Sequence, residues 1–418
     1  MRRQPVFFGW RVVSAAFTIA VFAWGIGFYG PSVFLRALHV ERGWSMAWVS
    51  AAISAHFVVS AGLVAYLSDV HRRFGIVVVT RAGIITLAAG MLAWALAEQL
   101  WQLFGAALLS GAGWAATSGA AINAMVAPWF DRGRAAALAM AFNGASVGGI
   151  VFMPLWVGLI ARLGMSGAAS ILGAVMIVAL WSLIGRCLGP TPESLGLAPD
   201  SGGPPHGEPG NAAHAVAPIA RASLVRDQRF VTMSAAFALG LFAQVGLFTH
   251  LLALLSPRFG DAGAAAALSL SIFAAVAGQT LLGWLLGARD RRHAAAVNFL
   301  VQACGVGLLA VPAAPAAVPI AGCILLGLGI GNLVSLPPLI AQAEFERQDV
   351  PRVVACAVAI NQLVFAFAPG IFGALHDVTR GFLGPLLFTA SMQVSSAMLV
   401  LAGRRRHAGT EGGASGAW

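Results

Sequence analysis

The sequence predicts an all-α membrane protein whose twelve transmembrane helices form two six-helix pseudo-repeats. Three observations predict it. Of 418 residues, 59% are hydrophobic and only 10% are charged, with a mean hydropathy of +0.84. Twelve apolar stretches are each long enough, at about 20 residues, to cross roughly 30 Å of hydrocarbon. Matched residues recur 215 to 219 positions apart in the two halves.

The composition excludes several classes. A soluble domain carries about a quarter charged residues, and this chain has too few to cover a water-facing surface. The net charge of +10 is no sign of a nucleic-acid partner. All 25 basic residues are arginine, set in small groups between apolar stretches and not along one basic face. Cys187, Cys304, Cys323 and Cys356 lie in or beside apolar stretches without CxxC spacing, so they read as packing residues. No metal and no cofactor is expected. Met1-Arg2-Arg3 runs into an apolar stretch longer than a cleavable signal, which reads as a signal anchor.

The expected spans are 11–35, 47–68, 75–97, 101–126, 135–161 and 167–188, then 229–255, 263–287, 294–313, 317–341, 351–375 and 382–402. Their length and Ala/Leu/Gly content fit helices and not barrel strands, which are shorter and strictly alternating. Residues 190–226 are rich in Pro, Gly and Ala, with Gly189-Pro190-Thr191-Pro192 at their head. They read as a flexible cytoplasmic linker. The chain thus divides into an N-terminal bundle (1–189), the linker (190–226), a C-terminal bundle (227–403) and a cytoplasmic tail (404–418). With both termini in the cytoplasm, nineteen arginines face that side and five the other, with Arg81 inside a span. Such a bias sets orientation and suits a bacterial inner membrane.

The halves echo each other. Phe130-Asp131-Arg132 recurs as Phe345-Glu346-Arg347, and Pro154 with Gly158 recurs as Pro369 with Gly373, both at an offset of 215. Arg72-Arg73 recurs as Arg291-Arg292 at an offset of 219. Pro154 and Pro369 are expected to kink their helices as a matched pair. Duplication of this kind, joined by a long linker, is a transporter architecture.

On these features the whole chain resembles the major facilitator superfamily. Within it, Trp129-Phe130-Asp131-Arg132-Gly133-Arg134, the track Gly144-x-x-x-Gly148 with Pro154, and the stretch Leu336-Pro337-Pro338 through Phe345 look most like a bacterial branch. That branch lies near the monocarboxylate transporters and oxalate:formate antiporters. The resemblance implies a secondary transporter with a central cavity lined by helices one, four, seven and ten. It also implies a cytoplasmic gate around the loop between helices two and three. There Leu67 and Asp69 match the superfamily pattern, and Arg73-Phe74-Gly75 fits its next step only with three residues inserted. Two patterns are missing. The helix-four arginine of many proton antiporters is Ala107 here, and helices eight and eleven hold no cation of the kind monocarboxylate carriers use.

No Asp or Glu falls in the middle of a span, so candidate site residues come from elsewhere. Charged or titratable groups inside a bilayer are costly and are functional suspects. His56 and His250 are candidates for carrying a coupling proton, or are tied by hydrogen bonds to neighbouring helices. Gln244, Gln279, Asn332, Ser335, Asn361 and Gln362 lie near span middles. There an amide holds either a substrate or another helix. Trp24 and Tyr29 would stack on a substrate or pack in the bundle. Asp69, Arg72, Arg73, Arg81, Asp131, Arg132 and Arg134 form the candidate cytoplasmic gate. Arg81 has alternatives: snorkelling to the surface, or pairing with Asp69.

The function expected is alternating-access transport of a small organic solute by a monomer in the lipid bilayer. ATP hydrolysis is excluded, since a GxxxxGK[ST] loop needs a lysine and there is none. The alternatives are a non-transporting receptor on a transporter fold and an intramembrane enzyme. The latter lacks any HExxH or DxxD pattern.

Overall fold

The computed structural model of the chain describes residues 7–131, 133–200, 224–286, 290–346 and 348–403. Arg132 of the candidate gate, Arg347 of the repeated acid-arginine step, most of the expected linker (201–223) and the tail (404–418) lie outside the described residues.

Among the described residues, eight helices are long and apolar enough to cross a membrane: Phe8–Arg42, Met46–Val64, Ile76–Leu96, Arg134–Leu188, Gln228–Trp284, Ala317–Glu344, Val350–Thr379 and Leu383–Ala402. Two of them hold two crossings each. The helix Arg134–Leu188 has 55 residues and would run roughly 80 Å if straight, far beyond a bilayer. It breaks at Gly164, whose φ of 71° suits a residue without Cβ. Contacts show that it folds back there. Arg134 reaches Asn123 at the end of the fourth crossing, and Arg81 at the start of the third donates to the Trp181 carbonyl. Residues 134 and 185 therefore lie on one side. The helix Gln228–Leu286 turns the same way at Gly260, φ 66°. Its first turn meets Arg292, just beyond its far end, through the Arg229 carbonyl. Leu100–Ala115 with Gly119–Val126, and Arg291–Leu309, supply the fourth and ninth crossings. The bundle thus has twelve crossings, as the sequence predicts. Large apolar side chains such as Trp284, Val178 and Val378 stand outward where lipid would cover them.

The duplication is visible in the packing itself. A Cβ on Gly111 would lie 2.4 Å from the His56 carbonyl oxygen, and one on Gly327 would lie 2.2 Å from that of Ser271. These are the same contact, between the second and fourth crossings of each half. Gly25 against the Phe152 ring is matched by Gly246 against Phe372. Small residues let backbones touch, and that close packing holds bundles together in lipid.

Four crossings are interrupted near mid-membrane. The first contains a π-helical turn, Trp24–Phe28. The fourth breaks between Ala115 and Gly119, the tenth at Gly331, and the eleventh between Phe365 and Ala368. Pro369 stands at the start of the last piece, where its missing N–H costs nothing. Pro154 lies inside its helix, ten residues before the reversal at Gly164. The two prolines are therefore not placed alike in their helices.

The first part of the expected linker is held to the N-terminal half. The Asp200 carboxylate accepts the backbone N–H groups of Asp131 (2.9 Å) and Gly133 (3.1 Å), and the Asp200 N–H donates to the Trp129 carbonyl.

Candidate functional site

The two halves meet along a seam. Its arginine-poor end is Arg36–Asp261, an ion pair at 3.3 Å between the first crossing and the turn that follows the seventh. The second and eleventh crossings then zip together antiparallel. The Ala47 N–H donates to Asp377, the Gly370 N–H donates to Ser54 Oγ at 2.8 Å, and Gly373 lies against Ser50. Ser50 also meets His250 Nε2 at 2.8 Å, Tyr29 packs on Phe248, and Ser269 donates to the Ile150 carbonyl. The seam ends at Phe57 and Phe365, with ring centroids 6.0 Å apart. These contacts run from the arginine-poor end to about mid-crossing. At the arginine-rich end Asp69, Arg72 and Arg73 stand exposed on the short helix Leu67–Phe74, where Asp69 pairs with Arg72. Burial lowers the pKa of the neighbouring His71.

Among the described residues, Phe57–Phe365 is the seam contact nearest the arginine-rich side, and the candidate site lies between the halves just below it. Immediately beneath it is an aromatic wall. Phe28 touches both Phe57 and Trp114. Trp24, about one turn lower on the first crossing, meets Trp114 edge-on at 4.8 Å and Phe142 at 6.1 Å. The π-helical turn Trp24–Phe28 carries both rings, and both meet Trp114 on the fourth crossing. Gly27 leaves room there, since a Cβ would meet Trp114 at 2.7 Å. π-turns recur at functional sites. Across the space, Asn361 and Gln362 sit about one turn below Phe365, on either side of its direction. Asn361 is 4% exposed, and its Oδ1 has no hydrogen-bond partner. Gln244 Oε1 is likewise buried without one.

The other expected site residues go elsewhere. Asn332 donates to Asn298 on the ninth crossing (2.9 Å) and to the Leu328 carbonyl. Asn298 donates to the Gly329 carbonyl, and Gln279 and Ser335 to that of Gly331. The Gly327-x-Gly329-x-Gly331 tract loosens the tenth crossing, and buried carbonyls freed inside a membrane must find donors. The polar side chains of Gln279, Asn298, Asn332 and Ser335 supply them.

The two histidines differ. His56 Nδ1 is 2.8 Å from Ser110 Oγ, which also accepts from Trp94 Nε1 and bonds the Ala107 carbonyl. It ties crossings within the N-terminal half. His250 lies on the seam. Its Nδ1 is 2.8 Å from the Gly246 carbonyl and must donate to it, so in the neutral ring Nε2 accepts from Ser50.

Arg81 does not pair with Asp69. It donates to the Trp181 carbonyl and lies 4.5 Å above that indole ring, because Gly185 leaves the guanidinium room on the sixth crossing. Arg134 holds Asn123, and Asp131 is exposed. Sequence reasoning passed over Ser50, Phe57, Trp114, Phe142 and Phe365. Their signal, the meeting of two crossings far apart in the chain, is absent from any one stretch.

The Major Facilitator Superfamily matches residues 16–369. Monocarboxylate transporter 11 of Mus musculus is 30% identical over 175 residues, which is 40% of this chain and 38% of that relative. Among solved structures, a bacterial homolog of the human lysosomal transporter Spinster, inward-facing and unoccupied, covers 96% of both chains with a TM-score of 0.69 at 14% identity. The nucleoside transporter NupG covers 96% of this chain and 99% of its own, with a TM-score of 0.70 at 13% identity.

Proposed function

The chain belongs to the major facilitator superfamily, and from that premise we propose that it is a secondary transporter, not an enzyme. It moves a small organic solute across the membrane by alternating access of its two six-helix halves. One observation carries the reading. Among the described residues, the seam contacts run from Arg36–Asp261 at the arginine-poor end to Phe57–Phe365 near mid-crossing, just above the candidate site. They consist of hydrogen bonds, glycine contacts and ring edges, which two rigid bodies can exchange for others when they rock.

The arginine bias supports a reading with both termini and the arginine-rich side in the cytoplasm of a bacterial inner membrane. The conformation is then inward-facing, with one chain as the working unit. Asp69, Arg72, Arg73, Asp131 and Arg134 stand where the cytoplasmic gate closes in the opposite state. Coupling, where a proton drives the cycle, falls to His250, since protonation turns its Nε2 from acceptor to donor at the seam. His376 and Asp377 on the eleventh crossing are the titratable groups that act on it.

The test is counterflow. Purified protein in liposomes preloaded with unlabelled solute should draw in the labelled form against no other gradient. A solute that binds but never exchanges would make the chain a receptor on a transporter fold and end the transport reading.

A further inference from the structure

Resting on the transporter reading, we infer that the central site takes a flat, uncharged heteroaromatic solute that carries N–H donors on its edge. The wall of the site is aromatic. Trp24, Phe28, Trp114 and Phe142 contact one another beneath the Phe57–Phe365 contact, with Trp24, Phe28 and Phe142 only half-buried. Rings of this kind offer a planar solute stacking or edge contacts worth far more than they offer an aliphatic one. A polyol needs a dense set of donors and acceptors, which this wall lacks.

Charge is the second constraint. Among the described residues no Arg, Asp or Glu lies at the middle of a crossing; Arg81, five residues into the third, is committed to Trp181 on the sixth, and Arg36, six residues from the end of the first, to Asp261. A carboxylate solute would enter with no cation to meet it, and an organic cation with no carboxylate. Both would bear the cost of an unpaired charge in low dielectric. The name of the mouse relative therefore does not supply the substrate class.

The third observation fixes the polar edge. Among the described residues four side-chain amide oxygens are buried without donors, those of Gln244, Asn332, Asn361 and Gln393, and Gln244 and Asn361 lie at the level of the aromatic wall. Gln244 lies two residues before Gly246, and Trp24 one before Gly25; Gly25 and Gly246 make the same contact in the two halves. Gln244 is thus at the depth of Trp24 in the opposite half, and Asn361 is one turn below Phe365, near the same level. A buried acceptor left open is costly, and a ring N–H or exocyclic amine would fill it. The ligand shape that satisfies all three is a flat ring stacked on the N-terminal half with its N–H edge toward the C-terminal half.

The experiment uses the full chain in detergent and in liposomes, with adenine and uracil as flat heterocycles and lactate and glucose as contrasts. Adenine or uracil should raise the melting temperature and quench tryptophan fluorescence, and lactate and glucose should do neither. Trp24→Ala should weaken heterocycle binding by about tenfold or more, the size expected for losing one stacking ring. Trp24→Phe, which keeps a ring and the fold, should stay within about threefold. Asn361→Leu should weaken binding while melting normally without ligand. Stabilisation by lactate or glucose with none by the heterocycles overturns the class, and so does a silent panel. Counterflow separates the two claims: lactate exchange would refute the solute class and leave transport standing, whereas heterocycle binding without exchange would do the reverse.

Discussion

Arg292 grips Glu344 with two parallel hydrogen bonds, Nε to Oε1 at 2.5 Å and the second guanidinium nitrogen to Oε2 at 2.8 Å. The rest of its donors go to Thr232 Oγ1 and to the carbonyls of Val400 and Arg229. One guanidinium, 2% exposed, thus ties the seventh, ninth, tenth and twelfth crossings at the arginine-rich end. Glu344→Gln should therefore cost about 3–5 kcal/mol, since it strands a buried cation. A double change to Arg292→Met and Glu344→Met should recover most of that loss. Melting of the three variants in detergent measures it, and a double variant as weak as the single one would contradict the account. The N-terminal half lacks this device. Arg73, the counterpart of Arg292, is exposed over Phe74, and the position 215 before Glu344 is Trp129. Arg73→Met should change the melting point little, within about 0.5 kcal/mol.

The seam between the second and eleventh crossings depends on the absence of a side chain at Gly373. A Cβ there would sit 2.5 Å from Ser50 Oγ and 2.7 Å from the Met46 carbonyl oxygen. Both neighbours are fixed in a helix, and Ser50 is engaged with His250. Gly373→Val should wedge the outer seam open and shift the population toward the outward-facing state. Reagent labelling of single cysteines would report it, with faster labelling beside Ser54 and slower labelling beside Gln362. Unchanged labelling at both positions would refute a closing role for this seam.

The sequence made the fold legible because lipid leaves so few choices. Twelve apolar stretches, an arginine bias and an offset of about 215 suffice for the bundle and its duplication. The site was less legible, because membrane depth can be read from a chain while direction around a helix cannot. Asn332 is at the right depth, yet its amide N–H is spent on Asn298, 34 residues earlier, and on the Leu328 carbonyl. Asn332→Leu should thus act as a packing lesion. It leaves the Asn298 amide oxygen without its donor at a cost of about 1–3 kcal/mol. Solute affinity in the surviving folded protein should stay near that of the parent. A normal melting point with binding abolished would return Asn332 to the cavity.

At the foot of the seventh crossing, Asp227 accepts from Arg229 through the backbone N–H (2.8 Å), Nε (3.1 Å) and the outer guanidinium nitrogen (2.7 Å). The side-chain bond from Arg229 is the main cause that holds the Asp227 carboxyl below its ordinary value. A carboxyl with a depressed folded-state pKa adds stability that is complete above its unfolded value of about 4 and is lost as pH falls through the folded one. Both side chains are partly exposed, 29% and 23%, so solvent screening keeps the contribution small. Asp227→Asn should lower the melting point at pH 7, and the gap from the parent should close as the pH drops from about 5 toward 3. Arg229 keeps its bond to the Glu344 carbonyl and its place over the Phe345 ring in either protein. The pH-dependent part of the gap therefore isolates the ion pair. A gap that stays constant across this range would mean that Asp227 stabilises the helix start through its hydrogen bonds alone, without help from its charge.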